Sequence, residues 1–143
     1  MTLAILDDHL LRDLLADEIG GDLARLLAGY EPATTNLYYV RLCKSVVSAR
    51  GGQLTGSWTV ERRRALGRTL LGLPDSVAIT SMRILAFRMA ELSENHRLST
   101  LGAEAIAAAG HLGAPLCVWS GDDGPATREA ALGAGVEYLT ISS

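Results

Sequence analysis

Two pairs of adjacent aspartates follow short apolar runs, and they are the residues of this sequence best placed to do chemistry. Asp7 and Asp8 end the run LAIL near the N-terminus, and Asp122 and Asp123 come shortly after the run 115–119. In α/β proteins, functional sites form outside the carboxyl ends of parallel strands. Carboxylates at such ends can bind hard divalent cations. We therefore interpret both pairs as candidate metal ligands.

Each acid also has a structural interpretation. Asp7 could pair with a neighbouring base or cap a helix, and Asp8 could be the N-cap of a helix that begins at His9. Asp122 and Asp123 could belong to a glycine-flanked turn, with one of them near a helix N-terminus. Both interpretations stay open at this point.

The elements that must position these acids can be traced along the chain. Apolar residues recur at helical spacing between turn signals, for example at leucines 10, 11, 14 and 15 before Gly20 and Gly21. Helices are predicted over residues 9–19, 22–28, 36–50, 60–71, 82–94, 101–112 and 126–132. Thr34 and Thr35 are candidate N-caps of the third helix, Gly51 and Gly52 end it, and residues 53–57 are predicted to be a loop.

Short apolar runs predict four strands, over residues 3–6, 77–80, 115–119 and 136–141, with 77–80 at an edge. Because these strands alternate with helices, the sequence predicts an α/β fold with a mostly parallel central sheet and helices on both faces. The chain of 143 residues shows no repeat and no linker, so one domain over residues 1–143 is expected.

Composition excludes several functional classes. A 48% hydrophobic and 20% charged content is typical of a globular protein, and a net charge of −3 argues against a generally basic nucleic-acid binder. The two cysteines, Cys43 and Cys117, do not suggest a disulfide framework and are expected to be buried. No signal peptide and no apolar run of membrane-spanning length is evident, so we predict a cytoplasmic protein without membrane contact.

Four segments resemble the PIN-domain family of nucleases. The opening AILDD is similar to the first PIN strand with its acid, and ATTNLYYVRLCKS is similar to the second main helix. HRLSTLGAEAIAAAGHLGAPLCVWSGDD is similar to the second half of such a domain, and VEYLTI fits its last strand. The resemblance covers nearly the whole chain, mostly as the order of elements. It implies a PIN-like three-layer sandwich, of the size found in toxin ribonucleases that pair with small antitoxins.

The resemblance also implies a site. PIN nucleases cut phosphodiesters with Mg²⁺ or Mn²⁺ held by acids from separate elements. The first acid falls on Asp7, the second on Arg41, the third on Gly102 and the fourth on Gly121, directly before Asp122. Arg41 and Gly102 therefore stand as replacements that occlude or empty the site, and Arg41 is expected to pair with Asp7.

Two acids remain as substitutes for the missing ligands. Glu104 lies two residues after Gly102, but residues two apart on a helix do not share a face. Asp123 neighbours Asp122 in the acidic turn. The widest metal-ligand set is therefore Asp7, Asp8, Glu104, Asp122 and Asp123, with Asp7 and Asp122 as the catalytic pair.

The first functional hypothesis is a PIN-like domain with an incomplete acidic site and no bound cofactor, acting as a non-catalytic binding or interaction module. The alternative is a divergent Mg²⁺- or Mn²⁺-dependent ribonuclease of the toxin type. The expected partners are an antitoxin or another protein, RNA, and a second copy of the chain in a homodimer.

Other residues offer weaker signals. Arg62, Arg63 and Arg64 could contact RNA phosphates, although a solvated basic face is the plainer interpretation. The aromatic residues Tyr38, Tyr39 and Trp58 could stack on bases or lie in the core or in a dimer interface. The three histidines lack a zinc-ligand spacing.

A remote alternative is a receiver-like signalling domain, which the segments ILDDHLLRDLL and WSGDDGPATREAALGAGVEYL resemble. A receiver needs an aspartate to phosphorylate after its third strand and a lysine near its end. Residues 53–59 contain no aspartate, and the only lysine of the chain is Lys44. Fold analogy without the site residues carries little weight.

Overall fold

The computed structural model describes residues 2–48, 50 and 52–142 and contains one five-stranded sheet. Its strands are β1 (Leu3–Leu6), β2 (Glu31–Thr34), β3 (Ala78–Ile79), β4 (Leu116–Trp119) and β5 (Tyr138–Ile141). They lie in the order β3-β2-β1-β4-β5, and every neighbouring pair is parallel. The expected fold class is confirmed: the chain is an α/β three-layer sandwich of the PIN-like type.

Helices cover both faces of the sheet. They are α1 (Asp8–Leu15), α2 (Gly21–Gly29), α3 (Asn36–Val47), α4 (Gly52–Thr55), α5 (Val60–Leu71), α6 (Met82–Asn95), α7 (Thr100–Leu112) and α8 (Pro125–Gly133). Side-chain oxygens begin several of them: Asp7, Thr35, Thr59 and Ser99 each accept a hydrogen bond from the peptide N–H three residues later. This satisfies an N–H that the first helical turn would otherwise leave unpaired.

The central strands are buried on both sides, as parallel strands between helical layers must be. On β1, Ile5 packs in a cluster with α6, α7 and α8, whereas Ala4 and Leu6 pack in a cluster with α1 and α2. A third cluster joins α1, α3 and α5 beside the sheet, through residues such as Leu11, Leu42 and Leu66. The third cluster holds α3 in place, and α3 forms one wall of the site described below.

The structure corrects four details of the predicted elements. Residues 31–34, where no strand was predicted, form β2 between β1 and β3, although Pro32 has no N–H to donate to the ladder. Thr34 therefore ends a strand, and of the two threonines it is Thr35 that caps α3. Residues 52–55, expected in a loop, form the short helix α4.

The remaining detail is helix length. The first helix ends at Leu15 rather than at residue 19, with Asp17 beyond it in the left-handed region (φ 56°). The helix predicted over 36–50 ends at Val47. Ala49 and Gly51, assigned by the sequence to the end of that helix, lie outside the described residues.

Within residues 2–48, 50 and 52–142, no helix combines the length and the apolar character that crossing a membrane requires.

Candidate metal centre

The site lies at the topological switch point of the sheet, between β1 and β4, where the strand order reverses. From β1 the chain proceeds to β2 and β3 on one side, and β4 and β5 are added on the other side. The carboxyl ends of β1 and β4 therefore flank a crevice, the usual position of ligand sites in open α/β sheets. A cavity of about 550 Å³ opens there, and its lining includes Asp7, Asp8, Arg41 and Asp122.

Asp7 is the residue that follows β1, and its side chain is 2% exposed. One carboxylate oxygen accepts a hydrogen bond from Leu10 N at 2.9 Å, which makes Asp7 the N-cap of α1. The other oxygen accepts from Trp119 N at 2.9 Å, at the end of β4. Asp7 thus joins the ends of two neighbouring strands, and the predicted N-cap role of Asp8 belongs to Asp7.

Asp8 is the first residue of α1 and is also buried. One of its oxygens accepts a hydrogen bond from His9 N at 2.9 Å. The other lies 3.4 Å from Nε of Arg41 on α3, whose side chain is 53% exposed. The arginine was expected to pair with Asp7, and the structure corrects this: its ion pair is with Asp8.

The two predicted acidic pairs contribute three carboxylates to one place. Asp7, Asp8 and Asp122 each offer a ligand oxygen, and these three oxygens lie within 4.8 Å of one another. Asp122 belongs to a 3₁₀ turn, Ser120–Asp122, that follows β4, and it is exposed at the mouth of the crevice. The prediction that Asp7 and Asp122 share a cleft is confirmed.

The pKa values of Asp7 and Asp8 are raised by burial and by the neighbouring acids. Burial raises the pKa of Asp7 from 3.8 to about 7, and repulsion from Asp8 and Asp122 adds to it, while the hydrogen bonds from Leu10 and Trp119 act against it. Burial also raises the pKa of Asp8, and Arg41 opposes that rise. Because Arg41 pairs with Asp8, it does not offset the burial of Asp7, and the pKa of Asp7 stays raised.

Such a donor set suits a hard divalent cation. Mg²⁺ and Mn²⁺ prefer oxygen ligands and are commonly held by a few carboxylates, with waters at the remaining positions. A cation would also compensate three acids that otherwise repel one another. Asp7, Asp8 and Asp122 are the residues that could hold it.

Glu104, a predicted substitute ligand, lies elsewhere. It is fully buried in α7, and both of its oxygens face the first turn of α3. Oε2 accepts from the backbone N of Asn36 at 3.0 Å and from its Nδ2 at 2.8 Å, and Oε1 accepts from Leu37 N at 2.9 Å. The structure does not bring Glu104 into the acidic cluster, and its carboxylate caps α3 instead.

Asp123 and Gly102 also differ from the predicted ligand set. Asp123 is exposed and points away from the cluster: it accepts hydrogen bonds from Arg128 at 2.8 Å and from the Tyr138 hydroxyl at 2.9 Å. Gly102 lies in the first turn of α7 and lines the crevice without a side chain. A Cβ built there would meet its nearest neighbour at 3.4 Å, which is ordinary contact.

The arginine run lies away from the crevice. Arg62 lies over the ring of Trp58, with Cζ 3.7 Å from the ring centroid, and pairs with Glu18. Arg63 donates to the carbonyl of Ser48 at 2.8 Å, and Arg64 is exposed beside an apolar groove between α3 and α5. None of the three lines the cavity with the acids.

The aromatic residues expected at bases or interfaces are mostly covered. Tyr38 is buried behind the acidic cluster, Tyr39 donates its hydroxyl proton to the carbonyl of Leu70, and Trp58 is half-buried beneath Arg62. One of the three is buried and two are half-buried, so they do not form an exposed apolar face, and the homodimer stays a prediction.

Sequence reasoning missed three residues that shape the crevice. Lys44 lies on the same face of α3 as Arg41, three residues on, and adds a second positive charge to that wall. His9 stacks on Trp119, with ring centroids 3.9 Å apart and planes 3° from parallel. The position of Trp119, at the end of a strand just before an acidic turn, was the available signal for its role.

His9 is held as a neutral ring. Burial and the nearby Arg12 lower its pKa. A guanidinium can only donate, so Nε2 of His9, 3.0 Å from Nη2 of Arg12, acts as the acceptor. Arg12 also binds Asp13 and the carbonyl of Leu54, so it ties α1 to α4 beside the crevice.

Comparison with known proteins does not identify a family: no protein-family model and no curated protein matches this chain.

Proposed function

We propose that this chain is a PIN-like domain that binds one Mg²⁺ or Mn²⁺ ion at Asp7, Asp8 and Asp122 and serves as a binding module without nuclease activity. The cation part is supported by three carboxylate oxygens that lie within 4.8 Å of one another in a crevice. Two of these acids are buried, where an uncompensated negative charge is costly.

The observation that carries the non-catalytic part is the ion pair between Arg41 and Asp8, at 3.4 Å. The guanidinium competes with the cation for Asp8 and offsets part of the negative charge of the cluster, so we expect a cation to be bound too weakly to support phosphodiester cleavage. Among the described residues, no further carboxylate joins the cluster, since Glu104 is engaged by α3 and Gly102 has no side chain.

RNA is the ligand class that this crevice fits best. Arg41 and Lys44 line the crevice from α3, and Arg41 lies directly beside the acidic cluster through its ion pair with Asp8. Phosphate groups are bound both by basic side chains and by divalent cations. A phosphodiester could therefore contact the basic residues and the proposed cation together. A protein partner, such as an antitoxin, could contact the same crevice.

A divergent Mg²⁺- or Mn²⁺-dependent endoribonuclease remains the second candidate. The convergence of Asp7, Asp8 and Asp122 favours it, because a cation held there would lower the pKa of bound water and offset charge on phosphate. Asp7 and Asp122 would then be its catalytic ligands.

Calorimetry with Mn²⁺, together with RNA-binding and cleavage assays, tests the proposal. We expect one weak Mn²⁺ site in the wild type, loss of that site in Asp7→Asn, and Mn²⁺-enhanced anisotropy of a labelled single-stranded RNA. We expect no cleavage above the level of Asp7→Asn. Metal-dependent cleavage by the wild type that Asp7→Asn abolishes would instead establish the second candidate. Absence of Mn²⁺ binding would reject the cation site.

A further inference from the structure

Trp119 contacts Asp7 of the acidic cluster and the residues next to its other two members, His9 beside Asp8 and Gly121 beside Asp122. Its peptide N–H donates to Asp7 at 2.9 Å, and its ring stacks on His9. The same ring lies against the backbone of Gly121: a Cβ built on Gly121 would fall within 2.7 Å of three carbons of the ring. Real Cβ atoms essentially never approach other atoms this closely, so position 121 accommodates only glycine unless the ring moves.

This contact explains where the last acid of the cluster stands. The resemblance to PIN nucleases places an acid at position 121, where the Trp119 ring leaves no room for a side chain. The 3₁₀ turn Ser120–Asp122 begins directly after Trp119 and presents the next residue, Asp122, to the cluster. The tryptophan ring therefore explains why the acid stands at position 122 and not at position 121.

We propose that Trp119 is the positioning residue of the cation site. Its peptide N–H orients Asp7, and its ring, packed against His9 and Gly121, sets the turn that brings Asp122 within reach of the same cation. This inference rests on the proposed cation site, but its geometric part concerns the placement of Asp122 and can be tested without metal.

Substitution by leucine isolates the contribution of the ring, since every residue except proline keeps the N–H that Asp7 accepts. Trp119→Phe keeps an aromatic ring for His9 and should restore most of the wild-type behaviour. Trp58→Leu is the matched control, because Trp58 is the other tryptophan of the chain, is half-buried, and does not line the crevice.

A double-mutant cycle on Mn²⁺ affinity, measured by calorimetry, separates positioning from general damage. We expect Trp119→Leu and Asp122→Asn each to weaken binding about tenfold, and the double variant to be no weaker than either one, because both remove the same ligand. Trp58→Leu should bind as the wild type does. Penalties that multiply in the double variant, or wild-type affinity in Trp119→Leu, would overturn the inference.

A second measurement works without metal. ¹⁵N relaxation of the Gly121 and Asp122 amides should show greater fast motion in Trp119→Leu than in the wild type and in Trp119→Phe. Unchanged relaxation in Trp119→Leu contradicts the positioning role, whether or not the wild type binds Mn²⁺. If the leucine variant does not fold, Gly121→Ala replaces it, since the added Cβ must displace the ring and should loosen the same turn.

Discussion

Glu104 and Asp7 are both buried carboxylates at helix N-termini, yet their surroundings differ. Glu104 accepts three hydrogen bonds from the first turn of α3, two of them from backbone N–H groups. Asp7 accepts two, from Leu10 and Trp119, and has Asp8 and Asp122 as close acidic neighbours. One acid is surrounded by donors, whereas the other shares its surroundings with further negative charge.

The difference shows that burial alone does not mark a carboxylate as functional. The donors around Glu104 compensate its charge from within the protein, which is how a structural acid is stabilised. The donors around Asp7 do not outweigh its burial and its like-charged neighbours, and its pKa rises to about 7. A bound cation would therefore stabilise the ionised form of Asp7, whereas Glu104 already has its charge compensated by donors of the protein.

The largest effect should come from removing the structural acid. Glu104→Ala leaves the backbone donors of Asn36 and Leu37 without their acceptor and opens a cavity in α7, so we expect a loss of about 3–5 kcal/mol in the free energy of unfolding. Urea denaturation measures it, with Glu94→Ala on the exposed face of α6 as the control. A loss below about 1 kcal/mol would break the comparison, since Glu104 would then not be structural.

The next effect is the dependence of stability on pH. Folded Asp7 has a pKa of about 7 against 3.8 ordinarily, so between these values the folded state holds more protons than the unfolded state. The contribution of Asp7 to stability is therefore full below about pH 4, declines as pH rises, and is lost above about pH 7. In metal-free protein we expect a decline of roughly a few kcal/mol over this range.

Asp7→Asn is the control, because it removes this titration. The lowered pKa of His9 acts in the opposite direction as pH rises towards its ordinary 6.5, so the two proteins must be compared at matched pH. Denaturation at each pH in the presence of a chelator gives both curves. Curves that run parallel would show that Asp7 does not titrate as its surroundings require.

A smaller effect should follow from completing the acidic site. Arg41→Glu removes the guanidinium beside Asp8, and Gly102→Asp adds a carboxylate at a position where a Cβ makes only ordinary contacts. An acid in the first turn of α7 is also favourable for the helix. We expect Mn²⁺ affinity to rise about tenfold, a modest gain since Arg41 is half exposed and its charge is screened.

Calorimetry measures that gain, with Arg88→Glu combined with Ser93→Asp, both at exposed positions of α6, as the control that changes the net charge by the same −3. An affinity that rises equally in the control would mean that overall charge, and not the site, is responsible. RNA cleavage that appears only in the double variant would show that Arg41 and Gly102 are what silences the site.

The sequence predicted the fold from features that do not depend on distant contacts. Apolar periodicity and glycine stops placed the helix Val60–Leu71 and the first strand, and the order of elements predicted a parallel sheet, which puts Asp7 and Asp122 at strand ends. Strand β2 was missed because its four residues include Pro32 and no apolar run. Local pattern carries no signal for a strand whose stability comes from neighbours on both sides.

The contacts within the site were beyond the sequence because they join segments far apart along the chain. Glu104 accepts hydrogen bonds from residues that lie 67 and 68 positions earlier in the chain. Nothing in the sequence near Glu104 therefore indicated that its carboxylate would cap α3. The choice of Asp8 over Asp7 as the partner of Arg41 depends on how α3 leans against α1, which the third hydrophobic cluster decides. The order of elements placed Asp7, Asp8 and Asp122 at neighbouring strand ends, but only the packing shows that Glu104 and Asp123 do not join them.

The smallest effect should separate the two aspartates of the acidic turn. Asp122→Asn removes one of the three oxygens of the cluster and should weaken Mn²⁺ binding about tenfold, whereas Asp123→Asn should leave it unchanged within about twofold. Asp123 is exposed, does not line the crevice, and accepts hydrogen bonds from Arg128 and from the Tyr138 hydroxyl. Its hydrogen bonds with these partners lower its pKa, so it is ionised at neutral pH in both metal-free and metal-bound protein. Because exposed ion pairs contribute little to folding, thermal unfolding of Asp123→Asn should match that of the wild type.

Parallel Mn²⁺ titrations of the two variants decide the matter: equal losses would mean that the turn moves and that Asp123 also reaches the cation. Asp123, like Glu104, is surrounded by hydrogen-bond donors. Equal losses would therefore contradict the conclusion that an acid with such donors does not bind the cation.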